Sequence, residues 1–158
     1  MIQVVQAAEP SHIDQIRALF VEYANALEVD LCFQSFEKEL AELPGGYAPP
    51  CGCLLLALDG DRPAGCVALR DLGSGIAEMK RLYVCPEYRG QRLGRALAER
   101  IIGEARRLGY QKMRLDTLPS MQAAIAMYRS LGFQPIPAYW SYPIEGLLFM
   151  ELPLIGGA

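Results

Sequence analysis

The sequence predicts an α/β protein with a mixed, mostly antiparallel central sheet flanked by helices on both faces. Three observations carry this. Short apolar runs at Cys53 to Leu58, Gly65 to Arg70 and Ala77 to Val84 are separated by Asp59-Gly60-Asp61 and Gly73-Ser74-Gly75, the pattern of adjacent antiparallel strands. Leu93, Leu97, Ile101, Ala105 and Leu108 then form one apolar stripe at helical spacing. A strand, a helix and a last strand follow, giving a mixed sheet with flanking helices.

Taken in order, Ile2 to Gln6 reads as a first strand. Glu9-Pro10-Ser11 announces a helix, with Ser11 as N-cap, Asp14 in the first turn and Ile13, Ile16, Leu19, Phe20 and Tyr23 at helical spacing. Asn25 to Gln34 has no readable pattern. A short helix is expected over Ser35 to Leu43, ended by Pro44-Gly45-Gly46, with Tyr47-Ala48-Pro49-Pro50 as a loop. After the hairpin and the strand Ala77 to Val84, the long helix covers Leu93 to Leu108 and stops at Gly109. Met113 to Leu118 is a strand, Met121 to Leu131 a helix and Gly146 to Leu152 the final strand. The Pro135 to Ile144 loop carries Tyr139, Trp140 and Tyr142, as a plug at the sheet end or as a wall of a substrate pocket.

The 158 residues are expected to form one domain, 1–158, without repeats or linkers. With 52% hydrophobic and 21% charged residues and a formal charge of −3, the chain shows no general pull toward nucleic acid or an anionic membrane. The start, MIQVVQAAEP, has no basic segment leading into an apolar one, and no apolar run approaches the ~18 residues of a spanning helix, so a cytoplasmic location is expected. Five cysteines, Cys32, Cys51, Cys53, Cys66 and Cys85, make a disulfide framework improbable. Cys51 and Cys53 with a lone, distant His12 make a poor zinc site, and no metal is expected.

The most informative stretch is Arg89-Gly90-Gln91-Arg92-Leu93-Gly94-Arg95, where a glycine-bearing loop opens straight into a helix after a strand. Backbone N–H groups of a first helical turn lack intrahelical partners, and the helix dipole adds about half a positive charge there. Gly90 and Gly94 permit close approach, and Arg89, Arg92 and Arg95 add charge, so a diphosphate fits. The loop lacks the Gly-Lys-Ser/Thr of a Walker motif and the three spaced glycines of a dinucleotide fingerprint, which argues against ATP and NAD.

A second segment, Ser120 to Phe133, lies on a separate expected helix. Together, Glu78-Met79-Lys80-Arg81-Leu82-Tyr83-Val84 with Arg89, Gly94 and Arg95-Ala96-Leu97 resemble the acetyl-coenzyme A motif of the GNAT N-acetyltransferase superfamily. Ala123 to Phe133, with Tyr128 five residues before Phe133, resembles the motif that follows it there. The resemblance spans Ala77 to Phe133, a little over a third of the chain. Two positions depart from the pattern. Arg92 stands where the first loop glycine is usual, and ordinary helical or turn angles are expected there because a left-handed arginine costs about 1–2 kcal/mol. Met121 stands where an asparagine is common, removing one polar cofactor contact.

The resemblance implies transfer of an acetyl group from acetyl-coenzyme A, as co-substrate, to an amine. Leu82, Tyr83 and Val84 would offer backbone groups to the pantetheine arm and thioester, and Arg89, Gly90, Gln91, Arg92, Leu93, Gly94 and Arg95 would hold the diphosphate. By position, Tyr128 matches the general acid for the departing thiolate, a phenol of pKa ~10 being close to a thiol of ~8.5. Glu78 is the candidate base, acting directly or through water, for an amine of pKa ~10.4, with pairing to Lys80 or Arg81, or orientation of a cationic substrate, as the competing roles. Arg81, Tyr139 and Trp140 are candidate substrate contacts. A small amine or amino acid is the favoured acceptor. A protein N-terminus or lysine, or a non-catalytic coenzyme A sensor, remain open, and the apolar final strand with its aromatic loop offers a surface for a homodimer.

Overall fold

The computed structural model describes residues 1–27, 35–141 and 145–155. The strands are β1 (Ile2–Gln6), β2 (Cys53–Asp59), β3 (Arg62–Gly73), β4 (Ile76–Val84), β5 (Lys112–Thr117), β6 (Gln134–Ile136) and β7 (Leu148–Pro153). The helices are α1 (Pro10–Ala26), α2 (Phe36–Glu42), α3 (Leu93–Arg107) and α4 (Gln122–Ser130). The sheet order is β1-β2-β3-β4-β5-β7-β6. Every pairing is antiparallel except β4 with β5, which is parallel because α3 carries the chain back across the sheet.

Helices cover both faces of the sheet. Neighbouring strand residues point to opposite sides, and on β4 the Tyr83 ring meets Tyr23 of α1 while Val84 lies against Gly94 of α3. Cys53 to Ala57 of β2 are accordingly buried without alternation, as expected of a strand covered twice. Ile16 and Phe20 of α1 and Leu97 and Ile101 of α3 are fully buried in the same core. Gly65 of β3 is required by close packing, since a Cβ there would stand 2.7 Å from the Tyr83 carbonyl oxygen.

Both long-range helix stops follow one rule. Gly109 at φ +90° ends α3, with the Gly109 N–H on the Arg106 carbonyl and the Tyr110 N–H on the Ala105 carbonyl. Gly132 at φ +105° ends α4 in the same way, its N–H on Arg129 and the Phe133 N–H on Tyr128. Each is a Schellman motif, in which a left-handed residue lets the chain double back onto orphan carbonyls.

Several expectations need correcting. Ser11 is not the N-cap of α1; Glu9 is, with Pro10 in the first turn, where proline's missing N–H costs nothing. Arg92 is left-handed, at φ 62° and ψ 21°, and caps α3 in a conformation in which its Cβ is strained. The Pro135 to Ile144 segment begins inside β6, Gln134–Ile136, an edge strand that tolerates Pro135 because one side of it has no neighbour among the described residues. Cys51 lies ahead of β2 and is exposed, whereas Cys53, Cys66 and Cys85 are buried, and all four are free thiols. Cys32 and Tyr142 lie outside the described residues. No helix among the described residues is long and apolar enough to cross a membrane.

Candidate active site

The site is made by the way two parallel strands part. β4 and β5 pair only at Ile76 with Lys112, Ala77 with Met113 and Glu78 with Arg114. Beyond Glu78, β4 leaves β5, and the edge of Met79 to Val84 that faces it has no partner strand among the described residues. A bulge helps. The β3–β4 register slips between Cys66 and Ala68, with Arg81 at φ +59°, and an extra residue there bends and twists β4.

Two cavities occupy the gap. The larger, about 850 Å³, runs from Leu82, Tyr83 and Val84 past Arg89, Gly90, Arg92, Leu93 and Gly94, with Met121, Ala124 and Tyr128 of the α4 region as its other wall. The smaller, about 50 Å³, lies deeper between Lys80 and Arg81 of β4 and Asp116 and Thr117 of β5. Tyr23, Leu27, Leu82, Leu118, Met121 and Tyr128 line both, so Tyr128 stands where the two meet.

The α3 end of the cleft gathers backbone N–H groups and arginines. The first intrahelical bond of α3 runs from the Ala96 N–H to the Arg92 carbonyl, leaving the N–H groups of Leu93, Gly94 and Arg95 without helical partners. Gly90 at φ +83° turns the loop toward them. Arg89 is fixed by donating from Nε to the Val84 carbonyl at 3.0 Å, and its guanidinium lies 5.6 Å from the Tyr83 ring centre. The Tyr83 hydroxyl donates to Glu22 of α1 at 2.6 Å. Gln91 and Arg95 do not line the cleft. Arg95 instead ties α3 to α4 through the Ser130 hydroxyl at 2.7 Å and pairs with Glu99.

Tyr128 is buried by the turn it belongs to. It provides the carbonyl that closes the α4 Schellman motif, and its ring meets Phe133 at 5.7 Å and 63°. The five-residue spacing therefore has a mechanical meaning, since it joins the two positions that make the hydrophobic contact of that motif. Burial, aided by Tyr23 and Asp116, pushes the phenol well above its usual range, so it remains a proton donor at neutral pH.

Glu78 is placed differently from a group facing the gap. It is fully buried, with Oε1 2.7 Å from Arg70 Nε and 3.9 Å from Lys80 Nζ, while Oε2 accepts from the Tyr139 hydroxyl at 3.0 Å. It lines neither cavity. Tyr139 packs edge-on against Phe149 of β7 and under Arg114, and Trp140 is 44% exposed; neither lines a cavity. Arg81 does line the inner cavity, held by two hydrogen bonds to Glu39 of α2 at 3.0 and 2.9 Å and lying over the Tyr23 and Phe36 rings.

Among the wall residues that the sequence did not single out are Tyr23, Thr117 and Asp116. The signal for Asp116 was a third charged residue, after Lys112 and Arg114, on one face of β5. Burial raises the Asp116 pKa, with Lys80 opposing, while burial lowers that of Lys80, as do the neighbouring Arg81 and Arg70. No group of three or more metal-ligating side chains occurs among the described residues.

Comparison with known proteins agrees with this geometry. The Acetyltransferase (GNAT) family matches residues 13–133. An uncharacterised N-acetyltransferase of Schizosaccharomyces pombe is 41% identical over 147 residues, 92% of this chain and 90% of that protein. A GNAT-family acetyltransferase from Staphylococcus aureus superposes with a TM-score of 0.81 at 18% identity, covering 98% of this chain and 99% of the other. The PaiA N-acetyltransferase of Thermoplasma acidophilum, solved with coenzyme A, gives 0.74 at 18% identity, covering 97% and 99%. With a family match over residues 13–133 and a relative 41% identical over 92% of its length, the chain belongs to the GNAT acetyltransferase family and is an acyltransferase enzyme.

Proposed function

We propose that the protein acetylates a primary amine of a small molecule or amino acid, using acetyl-coenzyme A as donor and direct attack by the amine, and that residues 1–158 act as one catalytic domain. The observation that carries this reading is the junction of the two cavities at Tyr128. One cavity ends in a cradle for phosphate and the other in a small polar chamber, so donor and acceptor would meet beside a protonated phenol.

The residues present fit the donor. The unpartnered N–H groups of Leu93, Gly94 and Arg95, with Arg89 and Arg92 beside them, suit a diphosphate. The free edge of β4 from Leu82 to Val84 suits the amides of a pantetheine arm, and the apolar wall of Met121, Ala124 and Met127 suits its methylenes. Acetyl-coenzyme A supplies an activated acyl group. Tyr128 holds the proton that a departing sulfur needs; burial raises its pKa away from that of a thiol, so the transfer is driven by the charge building on sulfur and not by a matched acid. An N–H on the free β4 edge, aimed at a developing oxyanion, would contribute about 3–4 kcal/mol.

Calorimetric titration with acetyl-coenzyme A tests the reading, with NADH and ATP as controls at equal salt. Micromolar binding of acetyl-coenzyme A alone is expected, followed by thiol release when primary amines are added. Absence of binding would overturn it.

A further inference from the structure

The inner cavity is bordered by a cluster of ionisable groups from three strands and α2 that is almost entirely self-paired. Glu78 serves both Arg70 and Lys80, and Glu39 serves Arg81. Asp116 differs from these. Its carboxylate lines the cavity but makes no hydrogen bond or ion pair among the described residues, although Lys80, Glu78, Arg81 and Arg70 all act on it electrostatically. A half-buried carboxylate with no fixed partner, at the end of a polar chamber, is complementary to a cation brought from outside. The chamber, about 50 Å³, is small beside the 850 Å³ of the outer cavity, which suits the reacting end of a substrate and not the cofactor.

We propose that Asp116 binds the acceptor's ammonium group and takes its proton, so that the acceptor is a cationic primary amine entering the inner cavity nitrogen first. The proposal rests on the acetyl-transfer reading above. In the step, one N–H bond of the ammonium breaks, its electron pair stays on nitrogen, and an O–H bond forms on the Asp116 carboxylate. Glu78 is then a positioning residue that holds Lys80 at the chamber wall while its own oxygens stay engaged by Arg70, Lys80 and Tyr139. The groups facing Asp116 are Arg70 from β3, Glu78, Lys80 and Arg81 from β4, Tyr23 from α1 and Tyr128 from α4. Opposite it on β7 stands the uncharged Phe149.

The test compares the wild-type chain with Asp116→Asn and Asp116→Glu, using putrescine, tyramine, L-lysine and the peptide Ala-Ala-Ala as probes. Acetyl-coenzyme A affinity by calorimetry should be the same in all three proteins. Asp116→Asn should lower kcat/KM at pH 7 by about 100-fold or more, the usual range for loss of a general base. Its rate should then climb about tenfold per pH unit toward the pKa of the free amine, which needs no base. Asp116→Glu should recover part of the loss. Independently of activity, the Asp116 carboxyl carbon signal of the unliganded protein should shift on adding the amine that reacts best, and should not shift with an equal concentration of its acetamide. Unchanged turnover in Asp116→Asn, or no reaction of wild type with any probe despite acetyl-coenzyme A binding, would overturn the proposal. Loss of acetyl-coenzyme A binding in wild type would instead overturn the reading beneath it.

Discussion

Tyr128 owes its position to a helix end and not to a partner for its hydroxyl, because the Phe133 N–H closes on its carbonyl and the two rings pack. Removing the hydroxyl should therefore leave the fold and the cleft intact. Tyr128→Phe is expected to lower kcat by about 10²- to 10⁴-fold, with acetyl-coenzyme A affinity unchanged within about threefold, as read by steady-state kinetics beside calorimetry. Turnover equal to wild type would remove Tyr128 as the acid. Arg92 behaves in the opposite sense. Its left-handed backbone costs about 1–2 kcal/mol, which Arg92→Gly would relieve while adding about 0.5–1 kcal/mol of unfolded-state freedom. The glycine variant should show an equal or higher urea midpoint together with weaker acetyl-coenzyme A binding, since a cation leaves the cleft wall. The tyrosine spacing was legible in sequence only through the family resemblance; its physical basis, a Schellman motif turning at Gly132 between two apolar residues, came with the structure. The sign of φ at Arg92 was not, since an arginine in that loop argues for the opposite backbone.

At the scale of the element, β4 does three jobs along nine residues. Ile76 to Glu78 hold β5, the bulge at Arg81 turns the strand, and Leu82 to Val84 present a free edge to the cleft. The bulge is anchored from outside the sheet, with Arg81 buried and bound twice by Glu39 of α2. Removing one member leaves a buried charge without compensation, a loss on the order of 3 kcal/mol. Glu39→Ala should lose about that much in chemical denaturation, whereas the double variant Arg81→Met with Glu39→Leu should recover most of it. Equal stability of Glu39→Ala and wild type would mean that the pair does not anchor the bulge. Strand positions and the α3 stop were readable because apolar runs between turn residues and Gly109 are local signals, although β3 runs longer, Arg62–Gly73, than its apolar run. The pairing of β7 between β5 and β6 was not, since it depends on contacts distant in sequence, and Pro135 disguised an edge strand as loop.

Across the whole molecule, a continuous apolar core on both sides of the sheet coexists with a polar chamber where β4 and β5 part. The carboxylate left there should cost stability. Burial, the largest influence, raises the Asp116 pKa above its unfolded value near ~3.9, Glu78 raises it further, and Lys80, Arg81 and Arg70 oppose. The folded chain thus holds the Asp116 proton more tightly than the unfolded chain. Stability from this group is fully present below the unfolded pKa and is lost as pH rises through the folded one. At pH 7 the folded protein carries the whole penalty of the buried charge. Asp116→Asn removes that charge at nearly constant volume, so its Tm should exceed that of wild type at pH 7, and the difference should shrink as pH falls toward 4. Scanning calorimetry at the two pH values reads both the sign and the trend. A lower Tm for Asp116→Asn at pH 7 would mean that the surrounding cations already stabilise the carboxylate, and that the chamber has no charge deficit for a substrate ammonium to fill.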